Sequence, residues 1–338
     1  MSNSADVLIS KISLLAKSKR EFDVIPHLDG PDHKEILEVN DAFALCSCLS
    51  GEALWRPVYR SFLKSKEFIS MDYLTFFSLF SPSCLTFWHR RKQIVLNDNL
   101  PLSDELAFTR LVLSKFPRST ETLQHRHWVL NRLSAEEFKS LFNDEVSFCE
   151  LLGDKYRCNY MIWQHRRWLI EKLNISSELL LSQLKRMDEW NAHHPLDISG
   201  WSFRVYLLRN CKNFLSKTDF ERILIAEITR SRLETEKIPM IDALWWFREQ
   251  MVQLFLESFK DFSKLKELDP YIKIYPNLRN LTDKKLKNVD NIEIPPEFNE
   301  AWASLLYKRY LRWLAQIADS KEFTIVKSFL HYLMKLDY

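Results

Sequence analysis

One arrangement of apolar and polar positions recurs five times along the chain. In each copy an aromatic or large apolar residue is followed three positions later by an arginine, within an apolar stretch of helical spacing. The copies are Trp88 with Arg91, Leu123 with Arg126, Trp163 with Arg166, Trp201 with Arg204, and Trp245 with Arg248. Their arginines lie 35, 40, 38 and 44 residues apart, the length of a helical hairpin and too irregular for a coiled coil.

A proline marks the turn inside most of these hairpins. It stands six residues before four of the five markers, as Pro82, Pro117, Pro195 and Pro239, and Arg157 takes its place in the third copy. Because proline ends or prevents a helix, each copy is predicted to run helix, turn, helix. Pro296 before Trp302 predicts a sixth, degenerate copy in which Leu305 replaces the arginine. Positions three apart share a helix face, so each Trp–Arg pair is predicted to hold neighbouring hairpins together.

The rest of the chain divides around these copies. Leu8, Ile12 and Leu15 have helical spacing, so residues 1–66 are predicted to form N-terminal capping helices. Residues 67–260 would hold the five repeats, and the polar, Lys-rich stretch within residues 261–297 predicts a loop insertion. Residues 298–338 are predicted to form the sixth repeat and a C-terminal capping helix.

Composition favours an all-α fold. Only 4 of the 338 residues are glycine, where average usage of roughly 7% predicts about 24. This scarcity argues against a Rossmann fold, a P-loop and a β-barrel. The 11 Trp, 23 Phe and 11 Tyr suit wide helix-on-helix packing. We therefore expect a right-handed, crescent-shaped α–α superhelix of stacked helical hairpins.

Charge and cysteine content narrow the functional classes. The formal net charge is +3, from 48 Lys and Arg against 45 Asp and Glu, so composition does not favour nucleic-acid binding. The six cysteines are irregularly spaced and no leader or membrane segment is recognisable, so we expect a cytoplasmic protein with reduced thiols and no stable membrane insertion. Cys46 with Cys48, and His125 with His127, are two apart and point to different helix faces, so no metal site is predicted in this chain.

Two segments carry a resemblance to the α subunits of protein prenyltransferases. Residues 159–168, Asn-Tyr-Met-Ile-Trp-Gln-His-Arg-Arg-Trp, are similar to that family's repeat signature, and residues 124–130 resemble its second half. Residues 115–122 and 197–200 look most like the divergent branch called prenyltransferase alpha-subunit repeat-containing protein. The resemblance covers residues 82–255 well and the remainder weakly.

The resemblance implies a partner and a site. It implies a separate β subunit, an α/α-barrel that carries zinc and the lipid pocket, while the α subunit contributes turn residues that face an isoprenoid diphosphate substrate. By position, those contacts fall on Arg118, Thr120, Tyr160 and Met161. Thr120 stands where the family has tyrosine, and Met161 where farnesyltransferase-like members have histidine. No catalytic residue is assigned to this chain.

The function implied is a noncatalytic α-type subunit of a heterodimeric protein prenyltransferase. The branch suggests geranylgeranyl transfer to C-terminal cysteines of membrane-traffic proteins such as a SNARE, with a Rab-type geranylgeranyltransferase β subunit. One alternative is a helical-repeat adaptor that binds peptides without enzymatic activity. Another is an ordinary α subunit of farnesyltransferase or geranylgeranyltransferase type I, which Thr120 and Met161 argue against.

Overall fold

The computed structural model describes residues 2–19, 21–25, 36–38, 43–47, 70–269 and 294–319. The chain divides into two compact units, Met1–Leu173 and Asn174–Tyr338. The elements of both units are overwhelmingly helical, which confirms the predicted all-α class of helical hairpins.

The first unit contains three helical hairpins behind an N-terminal helix. The hairpins are α2–α3, α4–α5 and α6–α7, and α1 packs against α2 and α4. Ser134 begins α6 with a capping box, in which its hydroxyl accepts from the Glu137 amide and its own amide donates to the Glu137 carboxylate. The helices are α1 Ser2–Ser18, α2 Met71–Phe80, α3 Leu85–Asn97, α4 Leu102–Lys115, α5 Thr120–Leu130, α6 Ala135–Lys155 and α7 Tyr160–Lys172.

A small sheet corrects the prediction for the N-terminal region. The predicted capping helices of residues 1–66 include α1, but β1 Glu21–Ile25, β2 Ile36–Glu38 and β3 Phe43–Ser47 are strands in the order β1-β3-β2. The β1 and β3 strands pair in parallel with Glu21 opposite Phe43, and β2 pairs with β3 antiparallel. Phe-Asp-Val in β1 alternates apolar and polar residues with period two and includes β-favouring types, which disfavours a helix there.

The second unit contains the fourth and fifth hairpins, α8–α9 and α10–α11, followed by shorter elements. The predicted loop insertion at 261–297 is wrong at its beginning, because α12 forms there. Asp261 caps α12 by accepting from the Lys264 amide at 3.0 Å, and Leu265 is buried. Residues 270–293 lie outside the described part of the chain. The helices are α8 Ser177–His193, α9 Ile198–Phe214, α10 Lys217–Lys237, α11 Asp242–Phe259, α12 Phe262–Leu268 and α13 Ala301–Asp319, with a 3-10 turn at Pro296–Phe298.

The tryptophan of the predicted sixth copy is exposed, whereas the marker tryptophans of the earlier copies are buried. Trp302 is 49% exposed on α13, and so is Leu305. Tyr307 and Tyr310 are buried instead, with ring centroids 6.2 and 5.6 Å from that of Trp245. The apolar face of α13 therefore begins later in the helix than the proline spacing indicates. Residues 320–338 lie outside the described residues.

The six-residue spacing between proline and tryptophan has a direct structural cause. The indole N–H of Trp88 donates to the Pro82 carbonyl at 2.6 Å, and Trp201 and Trp245 donate to the carbonyls of their prolines at 3.0 and 2.8 Å. Each bond ties the turn to the buried face of the second helix and satisfies a buried donor. Leu123 in the second copy has no such donor.

Candidate functional site at the helical turns

The turns of the first three hairpins form an open groove. Its volume is about 890 Å³. Two of the predicted contact residues, Arg118 and Thr120, line it, whereas Tyr160 and Met161 are not part of its lining. The complete lining is Phe80, Ser81, Pro82, Ser83, Lys115, Phe116, Pro117, Arg118, Ser119, Thr120, Glu121 and Tyr156.

Three hydrogen bonds join the second turn to the third. The exposed Arg118 donates from Nη2 to the Arg157 carbonyl at 3.3 Å. In the opposite direction, the Asn159 side-chain amide donates to the Pro117 carbonyl at 3.1 Å. The Tyr156 hydroxyl donates to the Ser114 carbonyl at 2.7 Å. These bonds hold Arg118 beside the neighbouring turn, with its guanidinium at the solvent.

The groove has the chemistry of an anion-binding surface. Lys115 and Arg118 contribute cationic groups, and Ser119 caps α5 by accepting from the Thr122 amide at 3.3 Å. The N-terminal end of a helix favours negative charge, and guanidinium matches phosphate oxygens in bidentate fashion. Glu121 is the one acid of the lining, and it accepts from the Thr120 hydroxyl at 3.0 Å. The groove can bind an anion, but its lining lacks a thiol or imidazole that could act as a nucleophile or base.

The third turn places the remaining predicted contacts next to the groove. Tyr160 is the first residue of α7 and is 38% exposed. Its hydroxyl accepts from the Gln164 side-chain amide at 2.6 Å. Met161 is half-buried. The structure thus brings Arg118 and Thr120 together and leaves Tyr160 and Met161 on the adjacent helix start.

The repeated arginines are buried between consecutive hairpins. Arg91 shows the arrangement: its Nε and Nη2 bond the Glu105 carboxylate of α4 at 2.7 and 2.8 Å, and its Nη1 donates to the Thr75 hydroxyl of α2 at 2.8 Å. One guanidinium therefore joins the first helix of its own hairpin to the first helix of the next. The corresponding acidic partners of Arg126, Arg204 and Arg248 are Glu145 on α6, Glu227 on α10 and Asp269, directly after α12.

The third copy has a carboxylate within its own hairpin. Nη1 of Arg166 lies 3.0 Å from the carboxylate of Glu150, which lies on α6, the first helix of the same hairpin. The own-hairpin oxygens in the other copies come from Thr75, Thr109, Asp188 and Thr235. Glu150 therefore occupies the position that a threonine hydroxyl fills in the first, second and fifth copies.

Buried histidines extend the arginine pairs in the first unit. His125 lies 2.8 Å from the Glu105 carboxylate that Arg91 also binds. Burial alone would raise the pKa of Glu105, but the charge of Arg91 and the hydrogen bond from His125 lower it to about 2. Burial lowers the pKa of His125, so the ring is neutral at pH 7. Sequence reasoning missed this role, although histidine stands immediately before arginine in both the second and third copies.

The second such group is longer. His165 Nε2 lies 3.2 Å from the Glu145 carboxylate, and His165 Nδ1 lies 2.8 Å from His127 Nε2. Burial lowers the pKa of His127 to about 3, and the charge of Arg126, with that of His165 whenever His165 is protonated, acts in the same direction. Trp168 stacks on His127 with ring centroids 4.0 Å apart. The two histidine rings are neutral and closely packed, which indicates a structural role.

The described residues offer neither a metal site nor a membrane span. Within that part of the chain, no group of three His, Cys, Asp or Glu side chains has metal-binding geometry. Burial raises the pKa of the Cys211 thiol to about 11 and that of Cys149 further, which makes both thiols unreactive. Among the described helices, none combines the length and apolar character needed to cross a bilayer.

Comparison with known proteins gives a family model that matches two of the hairpins. The protein prenyltransferase alpha subunit repeat matches residues 102–133 and 142–173, which hold α4–α5 and most of α6–α7. Over 166 residues the chain is 31% identical to protein prenyltransferase alpha subunit repeat-containing protein 1-A of Xenopus laevis, covering 43% of this chain and 38% of the relative. It is 31% identical over 154 residues to the Homo sapiens repeat-containing protein 1, covering 46% and 32%. The match to the Danio rerio protein is 29% over 222 residues, covering 66% and 46%.

These matches confirm the resemblance to the divergent repeat-containing branch. The chain spans less than half the length of the curated relatives it matches. The matched repeats coincide with the two turns that are joined by Arg118 and Asn159.

Proposed function

We propose that this chain, a prenyltransferase-alpha-like repeat protein, is the noncatalytic α-type subunit of a heterodimeric protein prenyltransferase. Its partner would be a Rab-type geranylgeranyltransferase β subunit, and the reaction would be geranylgeranyl transfer to C-terminal cysteines of a membrane-traffic protein such as a SNARE. The cationic groove in the first unit is the observation that carries the proposal, since it lies at the turn of a matched repeat and contains Lys115 and Arg118.

The reaction explains what such a groove contributes. The cysteine sulfur of the substrate protein forms a bond to C1 of the isoprenoid, and the bond from C1 to the diphosphate oxygen breaks. The diphosphate leaves with the bonding electron pair, so negative charge grows on it in the transition state. Cationic donors fixed in place before the reaction stabilise that charge. Lys115 and Arg118 would act on the leaving group and would not touch the thiol.

The proposal assigns the remaining chemistry to the partner. Zinc in the β subunit would lower the pKa of the substrate thiol. The described residues of this chain do not offer ligands with zinc geometry, and Cys149 and Cys211 are buried. This chain would therefore supply the helical scaffold, part of the diphosphate electrostatics and a surface that selects the substrate protein.

The first test is assembly and transfer. The chain would be co-expressed with a Rab-type geranylgeranyltransferase β subunit, and the purified complex assayed with labelled geranylgeranyl diphosphate and a SNARE that ends in cysteine. Stable co-purification and single-turnover labelling are expected. A chain that binds peptides but never assembles with this subunit would favour the adaptor alternative, and a preference for farnesyl diphosphate would favour the ordinary α subunit.

The second test isolates the groove. Arg118→Glu places an anion beside the leaving diphosphate, so single-turnover transfer should fall at least about tenfold, or roughly 1.4 kcal/mol. Because Arg118 also bonds the Arg157 carbonyl, Arg118→Gln provides a second variant that retains donor capacity while removing the charge. The matched control is Arg222→Glu, whose side chain is 77% exposed on α10. Unaltered transfer by an assembled Arg118→Glu complex would contradict the assignment of the groove.

A further inference from the structure

The second helices of the first unit carry a surface of cations and tryptophans that the proposed transfer reaction does not use. We call it the basic face and define it as Lys92, Trp128, Arg132, Trp168 and Lys172. The Arg132 guanidinium lies 3.8 Å from the centroid of the Trp128 ring, and the Lys92 ammonium lies 5.5 Å from it. The Lys172 ammonium lies 5.9 Å from the Trp168 ring. The face thus crosses α3, the end of α5 and α7.

The cations of the basic face are not neutralised by carboxylates within the described residues. Arg132 donates to the Trp128 carbonyl at 3.3 Å, and Lys172 donates to the Asn131 side-chain oxygen at 3.0 Å. Both acceptors are uncharged. Burial and the nearby charge of Arg132 lower the pKa of Lys92, so the two cations repel each other across one ring. An anionic partner bound at this surface would offset the repulsion between the two cations.

On the first helices α4 and α6, exposed carboxylates outnumber the exposed lysines Lys139 and Lys155. The first helices α4 and α6 expose carboxylates, namely Asp104, Glu136, Glu137, Asp144 and Asp154. A long polyanion that extended over both surfaces would be repelled by these acids. The net charge of +3 for the whole chain also gives no general attraction for nucleic acid. The occupant that fits is short and acidic.

The tryptophan rings of the basic face already stack on other side chains of the protein. Trp128 is covered by Arg132 and by His125, whose ring centroid lies 5.2 Å away in a stacked arrangement. Trp168 is stacked on His127 at 4.0 Å. Single-stranded nucleic acid gains affinity by stacking its bases on exposed aromatic rings, whereas these two rings are half-buried and partly covered. The rings instead hold the cations in position.

We propose that the basic face binds an acidic segment of a partner protein. Neighbouring helix axes lie about 8–10 Å apart and an extended chain rises about 3.3 Å per residue, so a segment that crosses the three helices would place an acid on each at about every third residue. Trp128 lies two turns along α5 from the groove end of that helix. The basic face is therefore distinct from the turn groove.

The experiment uses a fluorescein-labelled short peptide with glutamate at every third position and serine between, and a matched peptide with glutamine in place of glutamate. Fluorescence anisotropy with the purified full chain should show binding of the glutamate peptide that is at least about tenfold tighter than that of the glutamine peptide. Binding should weaken between about 0.05 M and about 0.3 M salt, because exposed charge pairs are screened.

Variants tie the binding to the basic face. The double change Lys92→Glu with Arg132→Glu should weaken glutamate-peptide binding at least about tenfold, and the single change Lys172→Gln should weaken it to a smaller extent. Lys139→Glu, on the exposed side of α6, is the control and should leave binding unchanged. Circular dichroism would verify that each variant is folded, and Lys172→Gln keeps the test decisive if the double variant is not.

Three outcomes would overturn the proposal. These are equal binding of both peptides, unchanged binding by the folded double variant or by Lys172→Gln, and a single-stranded oligonucleotide of equal charge that displaces the peptide and binds more tightly. Preferential binding to vesicles of anionic lipid over the glutamate peptide would likewise contradict a protein segment as the occupant.

Discussion

The two units share one scaffold but expose different turns. In the first unit the residues five positions before the markers are Ser83, Arg118 and Cys158, all exposed. In the second unit the same positions hold Leu196, which is 52% exposed, and Met240, which is 41% exposed. Ile198, beside Leu196, is 37% exposed. A polar, cationic turn surface in one unit thus corresponds to an apolar one in the other.

Two kinds of buried contact recur in both units. An indole-to-proline bond forms at Trp88 in the first unit and at Trp201 and Trp245 in the second. A buried arginine–carboxylate pair likewise occurs in both. The comparison teaches that the repeat constrains the interior of the hairpin stack and leaves the turn positions open to different surface chemistry. The family match to residues 102–133 and 142–173 falls in the unit with the cationic turns.

Substitution of a buried tryptophan should give the largest loss in the free energy of unfolding. The loss in each unit tests whether the scaffold is equally important in both. Trp163→Ala and Trp245→Ala each remove a buried side chain and should lower the free energy of unfolding by about 3 to 5 kcal/mol. Denaturant titration measures this, and Trp302→Ala, at a 49% exposed site, is the control. A small loss at one buried site alone would break the equivalence of the units.

The ion pairs provide the next largest effect. Glu145→Gln removes the only carboxylate that Arg126 binds among the described residues and should cost about 3 to 5 kcal/mol, because a buried guanidinium loses its counterion. Glu227→Gln should cost less, because the Asp188 carboxylate remains 2.8 Å from Arg204. Chemical denaturation would compare the two variants. Glu136→Gln, an exposed position on α6, serves as the control and should change stability by less than about 0.5 kcal/mol.

Acid sensitivity should distinguish the units, because the buried His–Glu groups lie in the first. His127 and His165 have lowered pKa values and are neutral when folded, whereas unfolded histidine binds a proton near pH 6.5. Their contribution is complete above about pH 6.5 and is lost as the pH falls towards the folded values, by up to about 1.4 kcal/mol per pH unit for each ring. Thermal melts from pH 7.5 to 5 should show this loss, and His127→Gln should reduce its slope. An unchanged slope would contradict the assignment.

Gly200, in the second unit, lies in close contact with the ring of Trp190. A Cβ added at Gly200 would lie 2.2 Å from Cζ3 of Trp190, so Gly200→Ala should cost about 1 to 3 kcal/mol through overpacking. Thermal unfolding would measure the loss. In a Trp190→Leu background the same substitution should cost less, and equal costs in both backgrounds would exclude the ring as the cause.

The smallest expected effect concerns the apolar turns. Leu196→Ser and Met240→Ser change exposed side chains and should alter the free energy of unfolding by no more than about 0.5 kcal/mol. Phe203→Ser, at a fully buried position on α9, is the contrasting variant. A loss above about 1 kcal/mol at Leu196 would mean that the apolar turn is part of the core.

Much of the helical architecture follows from the sequence. Spacing of three between marker and arginine places both on one helix face, and this geometry depends only on the residues of one helix. The six-residue spacing to proline is similarly local, because the indole reaches back to a carbonyl in its own turn. The capping box at Ser134 is predictable for the same reason. Thr218 is followed three residues later by Glu221, which predicts a capping box there as well. In the structure the cap is Ser216, directly before α10 begins at Lys217.

Contacts between hairpins could not be predicted in the same way. The sequence indicates that Arg91 needs an acceptor, but Glu105, fourteen residues later, becomes that acceptor only because α4 packs beside α3 in one register. Likewise, two histidines two positions apart offered no recognisable site, yet His125 meets Glu105 while His127 meets His165. Partner choice depends on the register between helices, which no local spacing specifies.

The repeat, the helical class and the positions of most turns follow from the amino-acid sequence alone, because they depend on residues within one or two helical turns. The tertiary structure decided that Arg118 and Asn159 join two turns, that Trp302 lies exposed on α13, and that β1, β2 and β3 form a sheet. Each of these outcomes depends on which segments meet across more than ten residues of chain. The energy of such contacts is set by burial and register, and both exist only once the helices have packed.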